Sequence, residues 1–235
     1  MATLSAVGER RLVENIRKIV RSRFQNSALG IGDDAAVLAG LSGGGTVVCT
    51  DVVTKDRHFP RGMTYERFGW TAAAVNFSDI ASMGARPIAF LSAVTMPGDS
   101  DETWLYDIMS GIDQCCEFCG AGVVGGDTKF GPLAIAGTAI GDLEGRRALV
   151  RSGARPGDVV AVTGSLGRAA TGYLAIENGM DAEDSIFALM APVPRVEEGR
   201  RISESGCATS CIDLSDGLAA AAMEICRQSH VGMDI

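Results

Sequence analysis

Residues 64–96 read "TYERFGWTAAAVNFSDIASMGARPIAFLSAVTM". Through Gly84 this stretch predicts one long, largely buried helix: alanines and aromatics dominate it, and glycine is a natural residue to close its C-terminus. From Pro87 to Met96 it becomes an apolar strand. A buried helix feeding directly into a strand points to helices layered on a sheet. Working outward, "TVVCTDVV" (46–53) is a β-branched strand preceded by three glycines. "DETWLYDIMSGIDQCCEFCG" (101–120) is a helix with acids in its first turn and glycine at its end. "AGVVGGD" and "GPLAIAGTAIGDL" supply two more strands, and Leu12, Val13, Ile16, Ile19 and Val20 give residues 9–22 an apolar helical face.

The turn-rich "RSGARPGD" (151–158) marks an expected domain boundary, with one domain over 1–150 and a second unit over 151–235. In the second unit "VVAVTGSLGRAATGYLAI" reads as strand, glycine turn and helix. A helix over 193–204, a short strand "ATSCIDL" and a helix from Ser215 or Asp216 follow, and the unit reads as incomplete. The expected class is α+β: an N-terminal domain with a mixed or antiparallel sheet and helices on one side, then an incomplete α/β unit.

The net charge is −8, from 29 acids against 21 bases. That balance argues against a nucleic-acid groove or an anionic membrane surface as the main partner, and admits polyanions only through metal ions. Glu9 and Glu14 interrupt the N-terminus before any secretory apolar core, and no window approaches the ~18 apolar residues of a membrane span. A cytoplasmic protein is expected. The cysteine count of seven is odd, so the thiols cannot all pair within one chain. Cys116 and Cys119 have zinc-knuckle spacing, but Cys207 and Cys211 do not, and His occurs only at 58 and 230. Reduced thiols in a helix are the expectation.

Five segments share one pattern, an apolar run, a small residue and then Asp. They are "GIGDDAAV" with Asp33 and Asp34, "VVCTDVV" with Asp51, "VNFSDIA" with Asp79, "VVGGDTK" with Asp127, and "CIDLSDGL" with Asp213 and Asp216. Singly, each has an ordinary structural reading: Asp213 or Ser215 as a helix cap, Asp127 as a turn residue, Asp79 as half of an ion pair. Together they favour another answer, because only Lys129 supplies a base nearby. Carboxylates without cations in apolar surroundings call for a compact positive charge, and Mg²⁺ bridging to a nucleotide's phosphates supplies it. "GIGDDA" also fits G-x-G-x-x-A with Asp51 some way beyond, but two carboxylates aimed at a pyrophosphate make a poor dinucleotide site. No G-x-x-x-x-G-K-[ST] loop occurs.

In order, "GIGDDAAVL", "TDVVTKDRHF", "AVNFSDIASMGARP", "GGDTKFGPL", "RSGARPGD" and "IDLSDGL" resemble the thiamine-monophosphate kinase family. That family sits in the superfamily of aminoimidazole-ribonucleotide synthetase, selenophosphate synthetase and the hydrogenase-maturation dehydratase. "NFSD" and "IDLSDGL" look like the kinase branch, whereas "GGDTK" also fits the hydrogenase-maturation branch, which stands as the alternative together with a non-catalytic nucleotide-binding protein. The resemblance implies an ATP- and Mg²⁺-dependent transfer of the γ-phosphoryl group to thiamine monophosphate. It also implies a homodimer in which the N-terminal domains pair their sheets. By the same resemblance Asp34, Cys49, Thr50, Asp51, Asp79, Asp127, Asp213 and Asp216 match metal-binding positions, with Cys49 standing where the family commonly has serine. Gly126, Asp127, Arg151 and Ser215 match ATP-contacting positions, and His58 one near the acceptor. The family's residues for the thiamine end, a Gly-Gly-acidic segment and an aromatic, are expected beyond Ile235. No side chain is expected to act as a general acid or base.

Overall fold

The computed structural model describes residues 27–29, 33–38 and 45–235, so the helix expected over 9–22 lies outside the described residues. Six strands form one sheet: β1 (Ser27–Leu29), β2 (Ala36–Leu38), β3 (Thr46–Thr54), β4 (Arg86–Met96), β5 (Val123–Phe130) and β6 (Ala134–Asp142). Their spatial order is β1-β2-β3-β6-β4-β5, with β4 and β5 parallel and every other neighbouring pair antiparallel. The sheet is therefore mixed, as the strand order in the sequence leads one to expect.

A short α1 (Lys55–His58) follows β3, α2 (Tyr65–Ser82) leads into β4, and α3 (Glu102–Phe118) makes the crossover to β5. Burial alternates strictly along β6, so one face of the sheet is covered by α2 and, among the described residues, the other is only partly buried. Phe68, Phe77, Ile80, Phe90, Ile108, Ile112 and Ile135 are closed to solvent in that layer. Each such side chain stabilises the fold by roughly 1.5–3 kcal/mol.

Both long helices begin as their sequences predict. The Thr64 side chain accepts from the Arg67 N–H at 3.1 Å, and Asp101 accepts from Thr103 N–H at 2.9 Å, each satisfying an orphan amide of a first turn. α2 stops where Gly84 adopts φ +70°, a left-handed conformation that costs other residues more. α2 and α3 cross at glycines: a methyl at Gly69 would overlap the Ile108 carbonyl, and one at Gly111 would overlap that of Glu66. Two bare backbones meeting this way fix how far apart the helices lie.

After residue 143 the described chain is helical: α4 (Arg168–Asn178), α5 (Glu183–Met190), α6 (Val196–Ser205) and α7 (Leu218–Ser229). α4 and α5 form a hairpin, and α6 packs on α2. The segments expected as strands around 159–163 and 208–214 have no ladder partner among the described residues, and Val159 is 91% exposed. β-propensity without a neighbouring strand leaves the backbone bonds unmade, so these segments run irregularly. α7 starts after Gly217, later than the Ser215 or Asp216 start the sequence suggested. The thiols of Cys115, Cys116 and Cys119 are free and buried in or just after α3. No helix among the described residues is long and apolar enough to cross a membrane.

Candidate active site

Three carboxylates converge beside the C-terminal half of α2. Asp34, Asp79 and Asp213 each offer one oxygen, and the three oxygens lie within 4.8 Å of one another. α2 carries Asp79, the residues just ahead of β2 carry Asp34, and the irregular segment before α7 carries Asp213. The site thus joins the sheet layer to the later helices.

The adjacent acids divide their work. Asp33 accepts the Asp34 N–H at 3.0 Å and the Arg151 N–H at 3.3 Å, so it fastens backbone. Asp34 takes the Arg151 guanidinium, with Nε donating at 2.8 Å and Nη2 to the same oxygen, and its carboxylate is out of solvent. Its other oxygen accepts from Ser82 Oγ at 2.7 Å. Ser78 Oγ donates to Asp213 at 3.0 Å.

Positive charge is scarce here. Burial above all, then the carboxylates of Asp213, Asp34 and Asp51, push Asp79 up to about 8 against the smaller opposing pull of the nearby Cys49 thiol. Burial and the charge of Asp34 raise Asp213 to about 6 against the opposing pull of Ser78 and Arg151. Three carboxylates drawn together in a buried place repel one another, and a bound cation would offset both the burial and the repulsion. The donors are all carboxylate oxygens, which suits Mg²⁺ or Mn²⁺ rather than a thiophilic ion. Asp34, Asp79 and Asp213 are the residues that would hold it.

Of the other residues singled out from the sequence, Cys49 and Asp51 flank the cluster. The Cys49 thiol is buried, faces the Asn76 carbonyl at 3.3 Å, and is pushed up by burial and by Asp79. Asp51 is exposed and accepts the Val52 N–H at 2.6 Å. Thr50 turns to the opposite face, where its hydroxyl donates to the Gly137 carbonyl at 2.6 Å. Asp127 lies in register beside Ala93, and Gly126 beside Ser92. Lys129 bonds Asp127 at 2.9 Å and, with the Thr128 N–H, lowers its pKa. His58 ends α1 in solvent, its Nδ1 accepting the Thr54 N–H at 3.0 Å. Ser215 and Asp216 are exposed just ahead of α7. The structure therefore gathers Asp34, Asp79, Asp213 and Arg151, with Asp51 and Cys49 beside them, and leaves Thr50, His58, Gly126, Asp127, Ser215 and Asp216 outside that group.

The sequence showed Asp33 and Asp34 without a base, and the structure corrects this: Arg151 arrives from 117 residues away. Ser78 and Ser82 were not singled out at all. Their signal was present, since two hydroxyls one turn apart in an alanine-rich buried helix need partners.

Residues 32–143 match the model of the AIR synthase related protein, N-terminal domain, and 155–235 that of the C-terminal domain. A thiamine-monophosphate kinase of Methanospirillum hungatei is 40% identical over 206 residues, covering 86% of this chain and 68% of that relative. The solved structure of AaThiL complexed with AMPPCP and TMP superposes with a TM-score of 0.87 at 29% identity, over 98% of this chain and 73% of the other. The hydrogenase maturation protein HypE is also similar, at 26% identity and a TM-score of 0.66, over 88% of this chain and 64% of the other. The chain thus spans about two thirds to three quarters of the kinases it matches.

Proposed function

The chain belongs to the thiamine-monophosphate kinase family of AIR synthase related proteins, and from that membership we propose that it transfers the γ-phosphoryl group of ATP to the phosphate of thiamine monophosphate, giving thiamine diphosphate and ADP. The observation that carries this reading is the convergence of Asp34, Asp79 and Asp213 within a chain of that family. The superposition on AaThiL, tighter than that on HypE, favours the kinase branch over the hydrogenase-maturation alternative.

The attacking group is a phosphate oxygen already anionic near neutral pH, so the reaction needs no general base. Its difficulty is electrostatic: two polyanions must meet. Bound Mg²⁺ supplies the neutralising charge. The chain supplies the oxygens that would hold it and a permanent cation, Arg151, already fixed against the buried Asp34 carboxylate. A phosphate brought beside Asp34 meets that guanidinium fork, whose charge does not depend on pH. Asp127, Asp216, Thr50, Gly126, Ser215 and His58 belong to this reading as further metal, nucleotide and acceptor contacts, supported by their match to the family's motifs.

The proposal extends to assembly and location. Val52, Ile88 and Val124 are exposed on strands of the sheet, Val124 by 65%. Apolar side chains left exposed on a sheet whose other face is covered support pairing of two copies through them. A boundary near residue 150 is supported by the two family models, which meet between 143 and 155. The acidic balance and odd cysteine count favour the cytoplasm.

The deciding experiment follows ADP release by a coupled assay with ATP and thiamine monophosphate, with Mg²⁺ and then with EDTA. Turnover that needs both the acceptor and the metal is expected. ADP release indifferent to thiamine monophosphate would remove the acceptor assignment.

A further inference from the structure

We propose that Ser78 and Ser82 are positioning residues that hold Asp213 and Asp34 beside Asp79 in the geometry a divalent ion requires. This rests on reading the three carboxylates as the metal site.

Serine is a weak choice inside a helix, where its hydroxyl commonly bonds back to a carbonyl one turn earlier. Ser82 has that option, with the Asp79 carbonyl at 2.9 Å, yet it lies closer to the Asp34 carboxylate at 2.7 Å. Ser78 reaches Asp213 at 3.0 Å. The two contacts bridge 48 and 135 residues of sequence, so each ties a distant segment to α2. Helical spacing puts Ser78, Ser82 and Asp79 within an arc of about 100° on one side of α2. One helix face thus bears one carboxylate of the cluster and a hydroxyl for each of the other two.

The chemistry of the donor matters. Like charges this close push apart: Asp213 sits on an irregular segment that allows it to swing away, and Asp34 is held by Arg151 at one oxygen and by Ser82 at the other. A lysine or arginine at 78 would hold Asp213 but cancel the charge the ion needs. A serine hydroxyl gives one hydrogen bond and leaves the carboxylate anionic, with lone pairs to spare. Outer partners of this type fix the rotamer of a ligating carboxylate, and their loss typically weakens metal binding about 10–100-fold.

The test measures Mn²⁺ binding to the full chain, without nucleotide, by the electron paramagnetic resonance signal of the free ion. Ser82→Ala and Ser78→Ala should each weaken Mn²⁺ about tenfold and the double variant more, with Ser78→Thr restoring wild-type affinity. Asp79→Asn should abolish binding. A purely structural role for the hydroxyls would shift the thermal midpoint but leave Mn²⁺ affinity unchanged. Wild-type affinity in the serine variants, beside loss in Asp79→Asn, would overturn the positioning role alone. No binding by the wild type, or unimpaired binding by Asp79→Asn, would overturn the metal reading and this proposal with it. Ser78 is half-buried, so Ser78→Ala decides the question if the buried Ser82 variant fails to fold.

Discussion

The sheet layer between residues 45 and 143 and the helices after residue 150 are built on different terms. In the first, α2 closes over alternate residues of β3, β4 and β6 with α3 packed on α2, and the aromatic and aliphatic side chains there are shut from water. In the second, Ala175, Ala191 and Ala221 are the buried apolar side chains, while Leu174, Met180, Phe187 and Met223 are more than half exposed. The later helices are fixed by particular bonds to the earlier layer. Trp70 Nε1 donates to the Pro192 carbonyl at 2.7 Å, Ser78 holds Asp213, and Arg151 holds Asp34. One region supplies rigidity and the other supplies charged groups delivered to it. The carboxylate cluster lies on the seam.

The strongest way to break this contrast is to hollow the layer. Phe77 is fully buried and meets Phe90 with ring centroids 5.5 Å apart, so Phe77→Ala should cost about 3–5 kcal/mol in urea denaturation. A loss below about 1 kcal/mol would mean that the layer is not the rigid part.

At the seam, pH gives a signed test. An acid whose pKa is higher folded than unfolded binds its proton more tightly in the folded chain. Its favourable contribution is therefore complete below about pH 4 and is lost as pH rises toward the folded value of about 8. In metal-free protein, Asp79→Asn should therefore gain stability over wild type between pH 5 and pH 8, by roughly 2–3 kcal/mol after allowance for relaxation of the site. A gap between the two melting curves that does not widen with pH would contradict the crowded-carboxylate picture.

A smaller effect is expected where helices cross. Gly111→Ala should force α2 and α3 apart at a cost of about 1–3 kcal/mol, read as a lower thermal midpoint. The smallest belongs to the later region: Val159→Ser, at a side chain 91% exposed, should leave stability within about 0.5 kcal/mol. If it unfolds the chain, the two regions are not built differently after all.

The same division governs how much was legible in the sequence. The elements of the sheet layer declare themselves because each carries its own period and its own stop: Thr64 and Gly84 bracket α2, and Asp101 and Gly120 bracket α3. Residues 159–163 have a strand's composition, but strand formation is settled by a neighbour, which composition does not encode. The acids at 34, 79 and 213 were visible as a repeated pattern. Their convergence and the place of Arg151 were expected from the family's motifs, but the pairing of Arg151 with Asp34 was not, because contacts across more than 100 residues leave no local trace. Ser78 and Ser82 went unread for a simpler reason: a helix rich in small residues hides two more small ones.

The bond from Ser78 to Asp213 governs time as well as energy. The segment bearing Asp213 is tied by the Cys211 N–H to the Val150 carbonyl at 2.8 Å and by the Ser78 hydroxyl, whereas Asp79 rides on a helix locked into the sheet. Amide hydrogens along α2 should then exchange with solvent slowly, near the rate of global opening, and those of residues 207–217 many times faster. An ion seated on the three carboxylates would leave when that limb swings out, long before the chain unfolds. Chelator-induced release in a stopped-flow trace should keep pace with exchange at 207–217 and ignore the core.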